Sequence, residues 1–231
     1  MPGAAKLRRR NLAGSRQYRI IPSRFPPIAL FERLVDADEL EIAYAIESLT
    51  NDRVQAGAGD LYLVDKEDWV TGPGASIVMA AFTHVGRESR FSDGSYGVYY
   101  AGLDEATAIA ETVFHTERRM RETAEPPIEL EMRCYIGTVQ LPLDDIRGKA
   151  YEHLRDPDLA TWPVCQAFGA ERRAAESNGL LYVSARRKGG RSIAAFTPRA
   201  VSRPRQGRHL KYCWNGERVV RVLDVRRIRQ L

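Results

Sequence analysis

The stretch "GLLYVSARRKGGRSIAAFTPRAVSRPRQGRHLKYCWNGERVVRVLDVRRI", residues 179–228, contains four strand-like runs and no helical period. "GLLYV" and "RSIAAF" flank a basic, Gly-rich turn. "HLKYCW" and "RVVRVLDV" flank Asn215-Gly216, the strongest short hairpin signal a sequence can carry. Strands that follow one another directly need no crossover helix, so this part of the chain belongs to an antiparallel or mixed sheet.

Upstream, "PPIELEMRCYIGTVQLPLDDI" alternates apolar and polar residues and reads as one long strand. Tyr18–Ile21 reads as a short strand, followed by a Pro-rich extended stretch. "GDLYLVD" and "ASIVMAAFTHV" read as strands, the second introduced by a Gly72-Pro73-Gly74 turn. Three segments have helical patterning. "DADELEIAYAIESLT" is capped by Asp36 or Asp38, has Leu40, Ala43, Tyr44 and Ile46 inside, and ends at "TNDRV". A second runs from about Asp104 to Arg121. "DPDLATWPVCQAFGAERRAAES" is the third and stops at Asn178-Gly179. Strands outnumber helices, which makes the fold class α+β with helices flanking mixed or antiparallel sheets.

The chain has 231 residues, 44% hydrophobic and 28% charged, which suits one domain with its own core. No apolar run reaches membrane-spanning length, and the N-terminus has no signal-peptide core. Cys134, Cys165 and Cys213 are few and widely spaced, which points to reduced thiols and a cytoplasmic location. The four histidines have no metal-ligand spacing, so no metal is expected. The net charge of +5 is concentrated at the front, where Lys6, Arg8, Arg9, Arg10, Arg16, Arg19 and Arg24 have no acid among them. Residues 1–16 therefore read as a flexible basic arm, and residues 17–231 as the domain, in which about 17–75 is an extension packed on a ligand-binding core. "GAGD" and "GPGA" are turns, because neither has the spacing of a dinucleotide or Walker loop, and no serine-hydrolase elbow occurs.

The candidate chemistry lies in "SRFSDGSYGVYYAGLDEATAIAETVFHTERR", residues 89–119. On its helix, Ala106, Ile109, Ala110, Val113 and Phe114 form an apolar arc, with Glu111 and Thr107 beside it and His115 one turn beyond Glu111. A carboxylate at a core margin can line a cleft. Arg90 precedes it in a turn-rich loop. Tyr99 and Tyr100 point to opposite faces of a strand, so one belongs to the core and the other can wall a site. Ser184 closes the strand "GLLYV" ahead of "ARRKGG".

Taken together, these residues resemble the RES-domain family, the toxins of RES–Xre toxin–antitoxin pairs. That family is marked by an arginine after a glycine-rich loop, a strand ending in Tyr, a helix reading A-x-x-E-x-x-x-H, and a later serine. Arg90, Tyr100, Glu111 and His115 stand at that spacing, and Ser184 matches the serine element. "YRIIPSRFPP", "ESLTNDRV" and "VMAAFTH" resemble a longer subgroup that includes a protein-modifying ADP-ribosyltransferase. Phe91 stands where many members have Trp. The resemblance implies a fold like that of diphtheria-toxin-type ADP-ribosyltransferases and NAD+ as the consumed substrate. It implies an Xre-like antitoxin that occludes the site, and a cellular protein target. In that reading Arg90 binds the pyrophosphate through paired donors, and Tyr100 stacks on the nicotinamide or closes the pocket. Glu111 opposes the positive charge that develops on the ribose. Ser184 bonds the amide or the ribose, and Tyr99 and His115 complete the substrate wall. NAD+ hydrolysis or phosphorolysis is the alternative reaction. A nucleotide- or nucleic-acid-binding module is the alternative without chemistry, although no nucleic-acid-binding signature is present.

Overall fold

The structure is a computed structural model and describes residues 7–25, 29–33, 36–50 and 59–226. The Pro26–Pro27 stretch, the Ile46 side chain and the helix stop in residues 51–54 lie outside the described residues. Nine strands form one sheet: β1 (Arg9–Arg10), β2 (Arg16–Pro22), β3 (Tyr99–Gly102), β4 (Ile128–Thr138), β5 (Leu143–Asp145), β6 (Gly179–Val183), β7 (Arg191–Ala195), β8 (Arg205–Trp214) and β9 (Val219–Val225). Their spatial order is β1-β5-β6-β7-β3-β2-β4-β8-β9. Among the described strands only β5 and β6 run parallel. The helices are α1 (Ala29–Arg33), α2 (Ala37–Thr50), α3 (Ala75–Thr83), α4 (Glu105–Glu122) and α5 (Trp162–Ala174). This is the α+β class expected, and the pairs β6–β7 and β8–β9 follow the turns quoted above.

Alternation along the strands separates three cores. Tyr99, Ala101, Leu181 and Ile193 face Phe31, Leu40, Val78, Met79 and Phe82 from α1–α3. Their strand neighbours Leu180, Tyr182 and Ala194 face Phe91, Ile146, Leu154 and Cys165 on the opposite side. Farther along the sheet, Ile20, Met132, Cys134, Leu210 and Tyr212 pack with Ala108, Ile109 and Val113 of α4. A strand face buried against apolar side chains is stabilised by roughly 25 cal/mol per Å² of apolar surface removed from water.

Several sequence expectations change. "ASIVMAAFT" is a helix. Almost all of its residues are buried, so it lacks the polar face that would reveal a helical period. Its cap is also remote: the Glu32 carboxylate accepts from Gly74 N, Ser76 N and Ser76 Oγ at 2.8, 3.0 and 2.6 Å. "GDLYLVD" forms a short 3-10 turn at Leu61–Leu63, with Asp60 accepting from Tyr62 N. The long strand expected over residues 126–146 breaks after Thr138 and resumes as β5. Helix α5 ends at Ala174, ahead of the expected Asn178-Gly179 stop, and Glu176 takes the left-handed conformation beyond it.

The boundary of the arm moves as well. Within residues 1–16, Arg9–Arg10 pair with β5, Arg9 lies 3.7 Å from the buried Asp144, and Arg16 opens β2. β2 is a central strand between β3 and β4, so residues 16–22 belong to the sheet and not to an extension packed on it. Deleting residues 1–16 strips the cover from β5 and removes one of the two guanidiniums at Asp144, the other being Arg172 at 3.0 Å. The loss expected is about 1–2 kcal/mol, a fall in Tm of about 2–8 °C for a domain of this size. Calorimetry of the truncated chain checks it, and an unchanged Tm would show that β1 adds nothing to the fold.

Candidate active site

β2 and β3 are neighbours at a single register pair, Tyr18 with Gly102. β2 then follows β4 over its whole length and β3 follows β7, so the sheet parts between them. Arg19 stands in the gap. Its Nη1 donates to Tyr100 O at 3.0 Å, and its guanidinium lies 4.4 Å from the Tyr99 ring centroid. The opening continues as a cleft of about 1000 Å³, walled by both strands, α4, the loop 86–90, Trp162 and Arg186.

Helix α4 reaches the cleft because its start fits tightly against β3. A Cβ on Gly102 would sit 2.7 Å from Ala108 N, so only glycine allows that approach. Asp104 caps the helix, accepting from Thr107 N and Thr107 Oγ1 at 2.8 Å each. The buried face is Thr107, Ala108, Thr116 and Met120, with Thr112 bonded to Tyr212 OH at 2.7 Å. That face is rotated from the arc expected in the sequence, and Ala106 is exposed. The rotation carries Glu111 and His115 to the cleft wall.

The hydroxyl of Ser184, at the end of β6, is fully committed. It accepts from Arg186 N and Arg187 N, both at 3.1 Å, and donates to Glu111 Oε1 at 2.6 Å. With both acceptor positions occupied, its proton is directed at the carboxylate. Ser184 therefore bears on the site by holding Glu111. Desolvation raises the Glu111 carboxyl above its usual range, while the Ser184 bond, Arg90 and Arg186 pull it down.

Arg90 is buried at 8% exposure and its Nη1 donates to Leu154 O and Asp156 O at 3.1 and 3.0 Å. Tyr100 OH holds the loop on both sides of it, accepting from Phe91 N at 3.0 Å and sharing a bond with Ser89 Oγ at 2.9 Å. Gln166 Nε2 adds a bond to Ser89 O at 3.1 Å. Tyr100 also lines the cleft, so it positions Arg90 and forms part of the wall. Phe91 is fully buried and meets Tyr182 edge-on at 5.2 Å, so this position serves the core.

Tyr99 does not belong to the site. It is fully buried on the other sheet face, with its hydroxyl bonded to Gln17, because strand alternation places it opposite Tyr100. His115 is exposed into the cleft. Desolvation by the wall, followed by Arg186, Arg118 and Arg90, pushes its pKa down to about 4, so it is neutral at physiological pH.

Arg186 escaped the sequence reading. Its guanidinium lies 3.3 Å from the Phe114 ring centroid, beside the charge of Arg90 and Glu111. The only local signal was the basic character of "ARRKGG". Trp162, which lies 5.3 Å from the Arg118 guanidinium, was missed as well. Among the described residues the cleft lining holds seven arginines and four glutamates, a balance that suits a ligand with several phosphate charges. No group of three or more His, Cys, Asp or Glu could hold a metal among the described residues. Among the described residues no helix is long and apolar enough to cross a membrane.

Ser184→Ala removes the bond that favours the ionised Glu111. Its pKa should then rise further, so the acidic limb of any activity that needs the carboxylate should move to higher pH. Activity at neutral pH should fall about 10-fold, the scale of one charge-assisted bond. A pH–rate profile with an unmoved limb would remove Ser184 from this role.

The profile of the RES domain matches residues 60–215. An uncharacterized protein of Sinorhizobium fredii (strain NBRC 101917 / NGR234), y4oC, is 32% identical over 208 residues, covering 87% of this chain and 84% of the relative. The crystal structure of the M. tuberculosis MbcT–MbcA toxin–antitoxin complex contains a chain that superposes with a TM-score of 0.38 at 14% identity, over 55% of this chain and 72% of that one. The profile spans the loop of Arg90, the strand of Tyr100, the helix of Glu111 and His115, and the turn of Ser184, the same parts that surround the cleft. The chain belongs to the RES-domain family.

Proposed function

We propose that the chain is the toxin of a toxin–antitoxin pair and consumes NAD+, transferring ADP-ribose to a cellular protein. The observation that carries this reading is a carboxylate, fixed by a directed hydroxyl, on the wall of an arginine-rich cleft. The pyrophosphate would lie on Arg90 and Arg186, whose planar donors match phosphate oxygens. The nicotinamide–ribose bond breaks with its electron pair leaving on nicotinamide, which becomes neutral. The positive charge passes to C1′ and O4′ of the ribose, where ionised Glu111 opposes it. A nucleophile on the target protein then bonds to C1′ and loses its proton to solvent. Neutral His115 offers a hydrogen bond without adding a repelling cation.

The test is incubation of the purified chain with NAD+, following free nicotinamide and the mass of candidate acceptors. Nicotinamide with an adduct of ADP-ribose mass supports the transfer. Nicotinamide without an adduct assigns hydrolysis or phosphorolysis, and no release removes NAD+ as the substrate. The partner expected is an Xre-like antitoxin that covers the cleft. Expression of the chain alone should arrest growth, and co-expression with that partner should restore it.

A further inference from the structure

Helix α4 lines the cleft well beyond Glu111. Arg119 lies eight residues farther on, about 12 Å along the helix axis. Arg24, just after β2, and Arg87, in the same loop as Arg90, line the cleft as well. These three guanidiniums are close enough that Arg24 and Arg87, after desolvation, depress the pKa of Arg119, with Glu125 opposing them.

Like charges held together in a cleft are costly unless an anion joins them. Among the described residues none of the three has a carboxylate within 4 Å, and none donates a side-chain hydrogen bond. Their neighbour Arg118 shows the contrast: Glu122 lies 2.7 Å from its Nε and Glu88 lies 3.6 Å from its Nη2. Of the nearby acids, Glu88 and Glu122 are therefore committed elsewhere, and Glu125 acts on Arg119 from beyond ion-pair distance. Past Arg24 and Arg119 the surface continues as a second hollow of about 410 Å³, walled by Pro22, Leu130 and Met132 together with the polar Glu129, Glu131, Arg133 and His209. The hollow gives room for a ring system beyond the three cations.

We propose that Arg24, Arg87 and Arg119 form a second anion subsite for a phosphate monoester at the far end of a dinucleotide, so that the chain binds NADP+ more tightly than NAD+. The inference rests on reading the cleft as a dinucleotide site. In that pose the pyrophosphate occupies the Arg90–Arg186 end beside Glu111. The adenosine ribose then reaches the distal arginines, where only the 2′-phosphate supplies a charge for them. A phosphate monoester carries close to two negative charges at neutral pH, and each guanidinium can meet it with paired donors.

The test uses the full chain in two measurements. The first is titration with adenosine 2′,5′-bisphosphate and with ADP, which involves no bond cleavage. The second is nicotinamide release from NADP+ and from NAD+. The bisphosphate should bind about 10-fold tighter than ADP or better, the scale of one charge-assisted contact. Arg119→Gln and Arg87→Gln should each reduce that ratio several-fold, and the NADP+ to NAD+ preference in kcat/KM should fall with it. Equal affinity for the two nucleotides overturns the proposal. So does an Arg119 variant that weakens both alike, since the cluster would then hold the 5′-phosphate that both share. Displacement of the bisphosphate by equimolar inorganic phosphate assigns the cluster to a free anion and also overturns it. A bisphosphate preference without nicotinamide release leaves the subsite standing and removes the catalytic reading. NAD+ cleavage without the preference does the reverse.

Discussion

Glu111→Gln is expected to abolish nicotinamide release while leaving the protein at least as stable as its parent. The substitution keeps the shape, and the amide oxygen can still accept from Ser184 Oγ, which donates to Glu111 at 2.6 Å. What it removes is the charge that opposes the ribose cation. Loss of one preorganised electrostatic contact to a developing charge typically costs about 10²–10³-fold, and a full charge belongs at the upper end. The effect should fall on kcat, because the carboxylate acts on the transition state rather than on the bound dinucleotide. Stability should move the other way. Desolvation raises the folded-state pKa of Glu111 above its unfolded value. Ionising the group therefore costs folding free energy: the cost appears as pH rises through the unfolded pKa and is fully present above the folded one. At neutral pH the neutral glutamine relieves it. Single-turnover assays and thermal unfolding of the same preparation give both readings. Parent-like turnover in a pure, folded variant would remove Glu111 from the chemistry. In cells, the same variant should no longer arrest growth.

Much of the fold was legible because its strands are edge-to-edge neighbours with clear alternation. The separation of Leu181 and Ile193 from Leu180, Tyr182 and Ala194 into different cores follows directly from the period of two. Helix α3 was not legible. Its polarity pattern is erased by burial, and its cap comes from Glu32, more than forty residues away, which no local window can register. The same limit applies to the site. Glu111 was found because it stands beside an apolar arc and matches the family's helix pattern, although the true buried face is turned toward Thr107, Thr116 and Met120. Tyr99 and Tyr100 were separable as a pair, but which of them faces the cleft depends on which sheet face α1–α3 cover. Ser184 was legible through its family pattern, yet its direct partner is Glu111 and not the open cleft. The arginines were the least legible. Nothing local distinguishes Arg186 and Arg119, which line the cleft, from Arg187, which pairs with Asp104 at 3.3 Å outside it.

Arg90→Ala is expected to weaken dinucleotide binding more than any other single change at the phosphate end. Two effects add. The first is loss of charge-assisted bonds to phosphate, about 1.5–3 kcal/mol, or roughly 10- to 150-fold in Kd. The second is loss of order in the wall. Arg90 Nη1 ties its loop to Leu154 O and Asp156 O, in the segment that leads to Trp162, another residue of the cleft wall. Without that tie the two parts of the wall are held by the Gln166–Ser89 bond and core packing alone, and binding must order them further. The expected rise in Kd is therefore about 100-fold. Arg90→Lys separates the two effects. A lysine keeps the charge but cannot bridge two carbonyls and still present paired donors to a phosphate, so it should recover only part of the affinity. Titration of Glu111→Gln protein, and of Arg90→Ala and Arg90→Lys in that background, measures binding without turnover. Equal Kd values for all three would show that the dinucleotide phosphates lie elsewhere. Full recovery by lysine would show that the charge alone matters and that the carbonyl ties do not hold the wall.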